Sequence, residues 1–105
     1  MIKNRALGLY LKTSTLDTEQ VQVESWTWSR DIEGNFQPRA LTQTELQAWG
    51  LTDLGANAKL FLIDPDITLK EGSHLFDGTD YFEIRGLNHW PIHTEIVMVP
   101  VQGLP

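Results

Sequence analysis

The chain has 105 residues, no cysteine, and 14 acidic against 8 basic side chains, a formal net charge of −6. That length fits one domain with one modest core, and an apolar share of 41% excludes a disordered polymer. The missing thiols exclude disulfides, thiolate nucleophiles and cysteine-held zinc, while the acid surplus argues against a protein that grips phosphates.

In chain order, Ala6–Lys12 alternates Leu7, Leu9 and Leu11 with Ala6, Gly8 and Tyr10, which predicts an amphipathic strand. Val21–Arg30 sets Val21 and Val23 on one face and Trp26 and Trp28 on the other, predicting a strand with a bulge near Glu24–Ser25. Glu33–Asn35 reads as a turn, followed by a short strand from Phe36 to Leu41 in which Pro38 marks an edge. Thr42 and Glu45 form a capping box, and Gly50 supplies the stop of a short helix. The LTDLGAN stretch that follows reads as loop. Lys59–Asp64 is an apolar strand ended by Pro65, and Ile67–Lys70 begins another short piece. Ser73–Phe76 and Tyr81–Arg85 flank Asp77-Gly78, a hairpin dipeptide. Gly86–Pro91 is read as a turn and Ile92–Val101 as the last strand, with Pro100 at its end. The expected fold is all-β, a small barrel or sandwich of about five to seven antiparallel strands with one short helix in a long loop. One domain spans residues 1–105, with flexible ends at about 1–5 and 102–105. No window carries the ~18 apolar residues of a membrane helix, and the N-terminal stretch is too weakly apolar for a signal peptide.

The charge is uneven. Residues 1–39 balance five bases with five acids, whereas residues 40–105 hold three bases against nine acids. An acidic second part acts as a solubilising face, or as a surface that avoids anions or meets a basic partner. Candidate chemistry is sparse. His89 and His93 are four apart, but Pro91 between them disfavours the helix on which such a ligand pair usually sits. Completing a metal site would need His74 and Glu95 as well. Asp64 and Asp66 flank a proline that ends a strand, which suits a turn better than a catalytic carboxylate pair. No nucleophile elbow or phosphate-binding glycine loop is present. Trp26, Trp28, Trp49 and Trp90 could stack on single-stranded nucleic acid, but that mode needs a basic groove, and Arg85 is the one base near Trp90. Trp26 and Trp28 on one strand face are better read as core or subunit contacts. Composition and spacing thus favour a binding or assembly module over an enzyme, with no metal and no cofactor.

The layout from about residue 6 to 101 resembles the head–tail stopper proteins, also called head completion or head closure proteins, of long-tailed bacteriophages. The resemblance is carried by QPRALTQTEL, the apolar KLFLID strand, and DGTDYFEIRGLNHWPIHTEIVMVPV, in which Tyr81, Ile84, Gly86, Trp90, His93 and Glu95 fit the family's C-terminal pattern. It implies a small β-barrel that joins a homo-oligomeric ring beneath the portal and its adaptor ring. Such a ring closes the channel after packaging and offers a face to the tail terminator or tail tube. It further implies location at the virion's head–tail interface, reached from the host cytoplasm, a subunit that is monomeric when free, and double-stranded DNA contacted but not tightly bound. The family's gating segment corresponds to about residues 42–58, with Thr42, Glu45, Trp49, Gly50, Asp53 and Gly55 as gating-loop candidates, although Thr42–Gly50 also suits an ordinary surface helix. Trp26, Trp28, Tyr81, Trp90 and His93 are the candidates for subunit or partner contacts. The double Trp has no counterpart role in the family. A tail terminator or head–tail adaptor of the same particle is the alternative.

Overall fold

Of the first alternation, Leu7 and Leu9 face a closed interior that the remaining strands complete, whereas Leu11, expected on the same apolar face, is exposed. The computed structural model describes residues 2–16, 18–51 and 57–102. Its elements are β1 (Arg5–Leu16), β2 (Gln22–Ala40), α1 (Gln43–Trp49), β3 (Lys59–Ile63), β4 (His74–Phe76), β5 (Tyr81–His89) and β6 (Thr94–Val101). The six strands pair antiparallel in the order β1-β2-β3-β6-β5-β4. Pairing of Gly8–Tyr10 with His74–Phe76 closes the ring into a barrel. The interior is packed with side chains from every strand, among them Leu7, Ile32, Phe61, Leu75, Phe82, Ile84 and Ile96.

Antiparallel closure sorts the strand ends. The starts of β1, β3 and β5 meet the ends of β2, β4 and β6 at one mouth of the barrel. The Asp77–Asp80 hairpin turn and the approach to α1 lie at this mouth. The β5–β6 turn and the β1–β2 hairpin tip lie toward the other.

Several expectations change. Glu33–Asn35 is not a turn: β2 runs unbroken through Gly34, which pairs with Arg5 on one side and Ile63 on the other. Gly34 is glycine because a Cβ there would sit 2.2 Å from the Leu62 carbonyl oxygen. No register break lies at Glu24–Ser25. Val23 and Trp26 occupy opposite faces of a regular ladder, and the bulge falls nearer the barrel, where Leu9 pairs with Arg30 and Tyr10 with Trp28. Ile67–Lys70 forms no strand. Gly86 belongs to β5, which continues to His89, so the turn is confined to residues 90–93 and β6 starts at Thr94 rather than Ile92. Pro100 sits within β6, opposite Phe82, not at its end. Of the ends expected to be flexible, residues 1 and 103–105 lie outside the described residues; Asn4 exchanges side-chain bonds with the Phe36 backbone at 2.8 and 3.1 Å, and Lys3 reaches Asp64 at 2.7 Å.

Candidate functional site

Three features of the exterior bear on function: the seated helix, an aromatic wall, and a ribbon that leaves the barrel.

The capping box forms as the sequence implies. Thr42 Oγ1 accepts from the Glu45 backbone N–H at 3.2 Å, and Glu45 Oε1 accepts from the Thr42 N–H at 3.1 Å. Gly50 ends the helix in the left-handed region at φ 73°. Arg39 grips both Glu45 carboxylate oxygens, at 2.6 and 3.1 Å. That bond, helped by the Thr42 backbone, holds the Glu45 carboxyl down to about 2. The helix lies on the outer wall rather than over a mouth: buried Leu46 packs with Leu41, Ala58 and Val97, and Trp49 and Leu51 pack against the same cluster. Gly86 leaves room for this seat, since a Cβ there would stand 2.9 Å from Leu51 Cδ1. Thr42, Glu45, Trp49 and Gly50 are therefore brought together on one docked element. Asp53 and Gly55 lie outside the described residues. Because Arg39 matches its charge, Glu45 adds little net repulsion toward DNA.

The opposite side of the barrel carries aromatic rings on its outside. Trp26 lies flat on the His74 ring, with centroids 3.7 Å apart and planes 10° apart. Phe76 stacks on Tyr81 at 4.3 Å, and Tyr10 meets Tyr81 edge-on at 5.7 Å. Under Trp26, His74 is only 7% exposed, and its Nδ1 has no hydrogen-bond partner. Burial lowers the His74 pKa; Glu83 opposes that shift and Lys12 adds to it. Trp28 stays 54% exposed, its indole N–H donating to Asp31 Oδ1 at 3.2 Å. The two tryptophans read as core or subunit contacts are thus outside the core: their strand face is the barrel's outer face. Sequence inspection missed Tyr10, His74 and Phe76 as members of this wall. The alternation of Tyr10 with Leu9 and Leu11 was the available signal.

Beyond Tyr10 and Trp28 the β1–β2 pair continues past the barrel as a two-stranded ribbon, Leu11–Leu16 against Gln22–Thr27. At about 3.3 Å per residue it adds roughly 20 Å, and the molecule measures 46 × 28 × 26 Å. Leu11, Leu16 and Val23 are exposed along it. At the β5–β6 turn, the Trp90 N–H donates to the His93 carbonyl at 2.8 Å. Trp90 and Ile92 stand 52% and 77% exposed there. Tyr81 and Trp90, at opposite ends of β5, do not share a site. His89 Nδ1 lies 3.2 Å from Thr94 Oγ1. Among the described residues no three His, Asp or Glu side chains converge into a metal-holding group.

No family model matches the chain, and no curated protein matches it. Among solved structures, the chain is similar to the solution structure of protein SF1141 from Shigella flexneri 2a. The TM-score is 0.74 at 13% sequence identity, covering 93% of this chain and 92% of that one. The likeness is one of fold.

Proposed function

We propose that this chain is a structural subunit of a bacteriophage head–tail connector, closing the portal channel after DNA packaging and presenting a surface to the tail. The observation that carries the proposal is the ribbon. A two-stranded hairpin is marginal in water unless something packs on it; this one rests on the barrel at its base, through Trp26 on His74, while the rest stands beyond it with Leu11, Leu16 and Val23 exposed. Neighbouring subunits in a ring would cover such an arm. The exposed Trp90–Ile92 turn supplies a further apolar surface for an adjoining ring. The sequence resemblance over residues 6–101 supports the connector assignment, and the small barrel is compatible with it. In this scheme α1 is the anchored start of the gating segment, held to the wall by Leu46 and capped by Thr42 and Glu45.

The test is a particle assembled without this protein. Such particles should package DNA and then lose it, and adding the purified chain before release should retain the DNA. Particles that keep their DNA and merely lack tails would refute channel closure and favour a terminator or adaptor role.

A further inference from the structure

The outer aromatic wall contains a groove that the connector proposal does not use. It has a volume of about 270 Å³, and its lining includes Gly8, Tyr10, Trp28, Asp31, Phe76 and Asp77. Three aromatic rings and two carboxylates line it, and no lysine or arginine does. Gly8 is its floor, where a Cβ would come within 3.5 Å of both Trp28 and Asp31. Trp28 is pinned across that floor by its bond to Asp31.

We infer that this groove binds the guanidinium of an arginine on a partner protein. A delocalised cation is attracted to aromatic faces, and Asp31 provides a carboxylate with one oxygen left over after the Trp28 bond. Arginine fits better than lysine because its planar group can stack on an indole and reach a carboxylate at the same time. The barrel already holds a guanidinium in similar company: Arg5 lies 3.7 Å from Asp77 and 5.0 Å from the centre of the Phe36 ring. Arg5 offsets part of the Asp77 charge, so Asp31 is the groove's principal anion. The surface acts with equal force inside a connector or outside one, so its test is separate from the packaging assay.

The probe is the capped tripeptide acetyl-Gly-Arg-Gly-amide, titrated into the isotopically labelled chain and followed by NMR. The Trp28 indole N–H and the Gly8 amide should shift saturably, while the Trp90 indole, exposed at the other end of the strands, stays still. The same peptide with glutamine in place of arginine should shift neither, and the lysine version should bind several-fold more weakly. Asp31→Asn and Trp28→Ala should each weaken binding at least tenfold. Gly8→Ala should do the same while the barrel stays folded, since its Cβ meets only ordinary contacts. Equal shifts with the glutamine peptide, or Trp28 shifts no larger than those of Trp90, would overturn the inference. Spermine binding tighter than the arginine peptide would replace a protein partner with a small polyamine.

Discussion

Gly34→Ala puts the continuity of β2 to a quantitative test. A Cβ at this position would lie 2.2 Å from the Leu62 carbonyl oxygen and 2.9 Å from two Phe61 ring atoms. Carbonyl and strand are both backbone in a closed ring, so neither can rotate away. Reaching the 3.0 Å that real Cβ contacts respect requires β2 and β3 to part by about 0.8 Å. Ladder bonds of about 2.9 Å would then stretch to about 3.7 Å, beyond the ~3.2 Å range of a good bond. Losing two such bonds costs about 2 kcal/mol, and overpacking against Phe61 adds about 1–3 kcal/mol. The total, about 3–5 kcal/mol, is a large part of the ~5–15 kcal/mol that holds a domain together. Urea unfolding followed by tryptophan fluorescence measures it. With a slope of ~1–3 kcal/mol per molar, the midpoint should drop by roughly 2 M. In an exposed turn at Glu33–Asn35 the same substitution would change stability by about 1 kcal/mol or less. A midpoint that moves by less than about 0.5 M at unchanged slope would therefore refute the continuous strand.

Leu46→Ala removes the buried anchor of α1 and should cost about 2–3 kcal/mol, because the half-buried Trp49 and Leu51 beside it can partly refill the space. Hydrogen exchange should rise over residues 43–49 and stay unchanged in β1 and β2. Thr42→Ala deletes the cap acceptor and should cost about 1 kcal/mol in thermal or urea unfolding, with Thr42→Ser restoring most of it. His74 is held neutral by burial in the folded chain, whereas the unfolded chain binds its proton near pH 6.5. Its contribution is complete above about pH 6.5 and declines as pH falls below that value toward the lowered folded pKa, at no more than about 1.4 kcal/mol per pH unit. His74→Phe keeps a ring under Trp26 but cannot titrate, so its urea midpoint should fall less between pH 7.5 and 5 than that of the natural chain. Parallel falls would refute this account.

Local chemistry was legible where a short stretch fixes its own geometry. The Thr42–Glu45 box, the Gly50 stop and the Asp77-Gly78 turn each involve neighbours a few residues apart, and each forms where expected. Lys59–Ile63 and the alternation of Leu7 and Leu9 were equally plain, being apolar runs facing one core. What misled were residues whose role depends on distant partners. Gly34 imitates a turn glycine, but its need for a missing side chain comes from Leu62 and Phe61. Gly86 does the same, on account of Leu51 and Trp49. Half of the ribbon was legible, since Val21–Arg30 read as a strand; its extension over the hydroxyl-rich Thr13–Leu16 was not, because that stretch is exposed throughout and has no buried face to impose a period. The stacking of Trp26 on His74 could not be foreseen, since it depends on β4 closing against β1.

That closure has a consequence for how the molecule comes apart and together. β1 and β2 are joined by a local hairpin, whereas the seam between β1 and β4 joins segments far apart in the chain through only three paired residues on each side. Joining distant segments costs more loop entropy than closing a hairpin, so the seam should form late in folding and open first in local fluctuations. An open seam frees two strand edges and the apolar lining behind them, a ready template for pairing with another chain. The shortest strand in the sheet therefore sets the protein's susceptibility to aggregation, and occupation of the groove beside it would act as a clasp.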